Sequence, residues 1–222
     1  MATRSLSPDG RHLIYFARGG RRHAETKGTW TAISRAPWLK AIVLYGKGDC
    51  WQGGGLFTAP GRYWLNGCHF PVRDNGELEP DTVHTPPGGY GAECEGIYFP
   101  RLLRDGWSLR ERLTAGATSR LTIFEKPLPH GWILRKYAHA DAGPREPGHG
   151  CYWDEHELES PGGDLRLDRK QWEWAERDGD SVVWAVDGCL YRAPITPDGP
   201  SAGRVLRNFN DMVFEAIEAP YE

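Results

Sequence analysis

Ser7-Pro8-Asp9-Gly10-Arg11-His12-Leu13-Ile14-Tyr15-Phe16-Ala17, SPDGRHLIYFA, is the stretch whose reading decides the fold. Pro8 presets φ for a turn, Asp9 and Gly10 tolerate the positive φ of a tight reversal, and the apolar run that follows favours extended backbone. Such a strand needs neighbours, because two-stranded ribbons are marginal in water. A partner is available in Met212-Val213-Phe214-Glu215-Ala216-Ile217, which alternates weakly and stops at Ala219-Pro220-Tyr221. If residues 213 to 218 pair with residues 12 to 17, the chain closes on itself.

Ten Trp, nine Tyr, 28 Gly and 17 Pro in 222 residues are a supply of sheet formers and turn formers, with few of the long Ala, Leu, Lys and Glu runs that helices use. The class is therefore all-β, and this length is compatible with one domain spanning residues 1 to 222. A net charge of −3 gives no positive field to draw nucleic acid or acidic membrane, and Arg18, Arg21 and Arg22 read as a solvated loop. No apolar run approaches the roughly 18 residues of a membrane span, and Met1 to Ser7 lacks the apolar core of a signal peptide. Cysteines at 50, 68, 94, 151 and 189 form no CxxC pair, and their odd number fits reduced thiols. A cytoplasmic location is expected.

Strands are predicted at 12–17, 29–35, 39–45, 55–58, 62–66, 95–99, 107–111, 120–125, 131–137, 151–158, 171–176, 181–186, 188–192, 204–207 and 213–218, each bounded by turn residues. Four of them run into a proline at 37, 60, 127 or 194, which cannot donate the next ladder bond. Asp9-Gly10, Asp105-Gly106 and Asp178-Gly179 each precede an apolar run, an echo that suggests repeats.

Ser7 to Arg11 with its following strand resembles the turn between the first two strands of a blade in β-propellers of the TolB and WD40-like kind. Trp172-Glu173-Trp174-Ala175, the Asp178-Gly179 turn and Gly188-Cys189-Leu190-Tyr191 carry part of the same pattern. That resemblance implies a small propeller, five-bladed at about 40 to 45 residues per blade, its last blade completed by residues 12–45 and 213–219. Four blades or a β-sandwich are the alternatives.

The densest polar stretch is His149-Gly150-Cys151-Tyr152-Trp153-Asp154-Glu155-His156-Glu157. Alternation sends Cys151, Trp153, Glu155 and Glu157 to one face, and Tyr152, Asp154 and His156 to the other. Asp154, His156 and Glu157 are thus the candidate catalytic residues, and His139, His149, Asp154 and His156 the candidate ligands should a metal ion bind; no other cofactor is indicated. Trp51, Trp153 and Arg101 are candidate ligand-binding residues, an exposed indole being a stacking platform. Gly46 to Gly55 looks like a phosphate cradle, but Leu56 to Ala59 reads as strand rather than helix, which leaves close backbone approach as the reason for the glycines. The function expected is a binding or scaffolding module with a protein partner. A lectin-like carbohydrate binder and a metal-assisted hydrolase are the rival readings.

Overall fold

In the computed structural model, residues 4–19, 23–85, 95–115, 119–141 and 150–221 are described. The fold is mainly β, in antiparallel sheets apart from one short parallel pair, Arg62–Leu65 with Glu79–Pro80. By compactness the chain divides into two units, Ala2–Arg104 with Ala216–Glu222, and Asp105–Glu215.

The first unit contains β1 (Arg4–Leu6), β2 (His12–Arg18), β3 (Thr29–Arg35), β4 (Ala41–Gly46), β5 (Gly55–Ala59), β6 (Arg62–Leu65), β7 (Phe70–Arg73) and β8 (Glu79–Pro80). One sheet runs β1-β2-β3-β4-β7 and a smaller one β5-β6-β8. Ile14, Ile33, Val43, Phe57 and Tyr63 are fully buried among the side chains of this unit's core. The glycine-rich stretch is shaped by its neighbours: a Cβ at Gly53 would lie 2.1 Å from the Phe16 ring and one at Gly55 2.3 Å from the Trp64 carbonyl oxygen. Close approach explains those glycines, and β5 follows them where a phosphate loop would need a helix.

Residues 95–99, expected as a strand, belong instead to helix α1 (Glu95–Arg104). Glu95, Tyr98, Phe99 and Leu102 are buried at the i, i+3, i+4, i+7 spacing of one helical face, and Arg101 and Arg104 occupy the last turn, where the helix dipole favours cations.

The second unit contains β9 (Ser108–Ala115), β10 (Ser119–Pro127), β11 (Ile133–Asp141), β12 (Tyr152–Glu159) and β13 (Arg166–Asp168), which form one meander in the order β13-β12-β11-β10-β9. A second sheet holds β14 (Trp174–Asp178), β15 (Ser181–Val186), β16 (Cys189–Thr196) and β17 (Gly199–Pro200), with β18 (Arg204–Asn208) also paired to β16. Pro194 does not end its strand; it sits inside β16, opposite Ser181.

The propeller expectation is overturned. Each sheet is open, none closes a ring, and residues 213–218 form no strand. β2 finds its second neighbour in three residues just upstream, Ser5 opposite Ile14 and Leu6 opposite Leu13. Ser7 makes that reversal possible: its hydroxyl donates to Asp9 Oδ1 at 2.5 Å and accepts from His12 N at 2.9 Å. Gly10, Gly106 and Gly179 do take positive φ ahead of β2, β9 and β15, so the three turns are alike while the sheets they feed are not.

The C-terminal segment nevertheless returns to the first unit, through a side chain. Tyr221 Oη donates to the Lys40 carbonyl at 2.7 Å and accepts from Arg35 N at 3.2 Å, and the Arg35 guanidinium lies 5.0 Å from its ring centre. Arg35 is itself held by Glu77, which also meets His12 Nε2 at 3.0 Å. Chiefly through Arg35, the Glu77 carboxyl is held down to about 2. Removing the hydroxyl in Tyr221→Phe deletes two hydrogen bonds and keeps the ring, so it should destabilise the chain by about 1–2 kcal/mol in urea unfolding; unchanged stability would show that the anchor is idle.

Candidate functional site

Two places in the chain concentrate functional groups. The first is the predicted polar strand, β12. Its register on β11 sets His156 opposite Lys136 and Asp154 opposite Ala138, and Asp154 and His156 share a face. Lys136 lies between them, its Nζ 3.2 Å from Asp154 Oδ2 and 2.9 Å from His156 Nε2. The other imidazole nitrogen, Nδ1, is 3.0 Å from the Trp172 carbonyl, so the ring is neutral, donating there and accepting from the ammonium.

Trp107 supports this buried cation from the same unit. Lys136 Nζ lies 5.1 Å from the Trp107 ring centre, and Trp107 Nε1 donates to Glu176 at 3.0 Å. Trp172, whose carbonyl holds His156, stacks on Trp184 at 4.7 Å and 14°, and Trp184 stacks in turn on Tyr191. Lys136 and His156 are each about 1% exposed. Burial first, and the adjacent ammonium second, push the His156 pKa down to about 3. A histidine sealed from solvent and neutral at ordinary pH is placed to orient its neighbours; it is not placed to exchange protons with a substrate.

Glu157, the third candidate, points to the opposite face. There the Arg135 guanidinium, 3% exposed, gathers Glu125 at 2.7 Å, Glu157 at 2.6 Å and Glu159 at 2.9 Å. His139 is on this face too, stacked on Trp153 at 4.5 Å with the rings 1° from parallel. The sheet therefore separates His139 and Glu157 from Asp154 and His156, and His149 lies outside the described residues. Among the described residues no group of three or more His, Cys, Asp or Glu is arranged to hold a metal ion. Of the other candidates, Trp51 is 70% exposed in the loop before β5, and Arg101 covers Tyr98 on α1.

The second place was not anticipated. On β2 the side chains of Leu13, Tyr15 and Ala17 face away from the Ile14 core, and register carries that face through Ala32 and Trp30 of β3 to Leu44 of β4. Here the sheet carries a cleft of about 730 Å³, lined by Tyr15, Ala17, Trp30, Leu39, Ala41 and Leu44 and walled by the loop from Ala24 to Gly28. Binding pockets typically span roughly 300–1,000 Å³. The chain passes close over the indole, since a Cβ on Gly19 would lie 2.8 Å from Trp30. Tyr15 donates its hydroxyl proton to the Leu39 carbonyl, and burial raises its pKa. Among the described residues no carboxylate, cation, imidazole or thiol lines this cleft. It can exclude water from an apolar group, with the hydroxyls of Tyr15 and Thr26 and the Trp30 indole N–H as its polar side-chain groups. The sequence did carry a signal for it: Leu13 to Ala17 is apolar at five successive positions, where a strand with one wet face alternates.

No family model, curated protein or solved structure matches the chain. Among the described residues no helix is long and apolar enough to cross a membrane.

The His156 environment fixes a pH response. Its folded pKa lies below the ordinary 6.5, so unfolding takes up a proton as pH falls beneath 6.5, and stability is lost progressively down to about pH 3. The contribution is up to about 1.4 kcal/mol per pH unit for one proton. Urea unfolding at a series of pH values should show a shallower fall in His156→Gln than in the wild type; parallel curves would contradict the buried neutral imidazole.

Proposed function

We propose that the chain is a protein-binding module that recognises an apolar segment of its partner through the cleft on β2, β3 and β4. The observation that carries this reading is the chemistry of the lining: two aromatic rings and aliphatic side chains around a concave space, with two hydroxyls and the Trp30 indole N–H as the polar side-chain groups among the described residues. Apolar concavities with a few placed polar groups are the usual form of recognition sites, and aromatic walls supply contact area at little cost in side-chain entropy. The polar groups that a hydrolase would need are buried or engaged in the second unit, as Lys136 with Asp154 and His156 and as Arg135 with its three glutamates. A carbohydrate ligand is less well served, because sugar hydroxyls require more hydrogen-bonding groups than Tyr15, Thr26 and Trp30 provide.

Selection of short displayed peptides on the full chain tests the reading. Peptides with large apolar side chains should be enriched, and Leu44→Glu, which puts a charge into the cleft, should weaken their binding by about tenfold or more. Failure to enrich such peptides, or binding indifferent to Leu44→Glu, would refute the cleft as the recognition surface.

A further inference from the structure

From β18 onward the chain exposes an unusual concentration of apolar side chains. Val205, Leu206, Phe209, Met212, Val213, Phe214 and Ile217 are all exposed, Val213 at 86% and Phe214 at 91%. Soluble chains scatter single exposed apolar residues, but a contiguous run marks an interaction site. Phe209 to Met212 is pinned as a turn, with Phe209 N donating to Gly188 O and Met212 N to Phe209 O. The residues after it, 213–219, belong to no strand or helix and are exposed through Glu218, so they present a ready peptide.

We infer that the Met212–Ile217 segment of one copy of this chain docks into the β2–β4 cleft of a second copy, an inference that rests on the cleft being a recognition surface. Chemistry agrees: Val213, Phe214 and Ile217 are exposed apolar groups, and the cleft is an apolar concavity. Charge agrees as well. Between Asn208 and Tyr221 the chain carries Asp211, Glu215 and Glu218 and no Lys or Arg. Basic residues stand beside the cleft: Arg73 is exposed and lies opposite Leu44 on the cleft face, and Lys27, in the wall loop with the acidic Glu25, extends over Phe70, while the Lys40 ammonium beside Leu39 lies over the Tyr221 ring. An acidic apolar peptide meeting an apolar cleft with basic residues beside it is steered and oriented by that complementarity. The contact joins two different surfaces of the chain, so it closes into a pair if two copies exchange segments and otherwise propagates.

Light scattering of the full chain over a wide concentration range, combined with two substitutions, tests this. The wild type should associate reversibly, and Phe214→Asp in the segment and Leu44→Glu in the cleft should each weaken association by about tenfold or more. Leu39→Glu, at a position 66% exposed, repeats the cleft test where folding is not at risk. Mixing Phe214→Asp with Leu44→Glu should restore association in part, because one retains the cleft and the other the segment. A synthetic peptide of residues 208–218 should bind the Phe214→Asp chain and not the Leu44→Glu chain. A wild type that stays monomeric without binding the peptide overturns the inference, as does association that survives both substitutions, or a monomer whose own segment fills its cleft. If the displayed peptides still bind in a Leu44-dependent way while the 208–218 peptide does not, the second copy is the wrong occupant and the cleft reading stands; if neither binds, both fall.

Discussion

The first unit is governed by a conflict that alternation cannot resolve. Side chains on a strand point alternately to two faces, and β2 is apolar from Leu13 through Ala17, so a core on one face leaves apolar groups on the other. Ile14 and Phe16 are absorbed, the first into the core and the second beneath the glycine loop at Gly53. Tyr15, Ala17, Trp30 and Leu44 are not, and the cleft they form follows from the same residues that make the sheet stable.

The second unit handles charge where the first handles apolar surface. Lys136 and Arg135 are successive residues of β11, both nearly sealed from solvent, one on each face. Each is made tolerable by partners: Asp154, a neutral His156 and the face of Trp107 for the lysine, three glutamates for the arginine. Removing one partner of such a pair costs far more than the pair contributes, because the remaining charge stays buried. Structural demand on both faces of one sheet thus draws on the polar residues that crowd β12.

Much of the strand pattern was legible because turn chemistry is local. Thr29 to Arg35 and Ser181 to Val186 are bounded by residues that stop strands, and their ends were read from sequence without error. The face assignments along β12 were legible too, since period two is rigid. What failed depended on distant residues. Tyr98, Phe99 and Leu102 suit a helix as well as a strand, Pro100 suits the interior of neither, and only the burial of one face of α1 decides; nothing local says that Met212 to Ile217 lacks a neighbour. The apparent kinship of three Asp-Gly turns misled for a related reason: a turn is recognised within four residues, whereas sheet order is set by pairings dozens of residues apart. Lys136 could not be joined to Asp154 and His156 from spacing, because only the β11–β12 register brings them together.

The stacked indoles of Trp172 and Trp184 have an optical consequence. Rings 4.7 Å apart and 14° from parallel are close enough for their electronic transitions to couple, and circular dichroism is the spectroscopy that reads such coupling. Trp172 also supplies the carbonyl that holds His156. The stacked pair and the buried imidazole thus share one residue, Trp172, whose ring belongs to the stack and whose carbonyl accepts from the histidine.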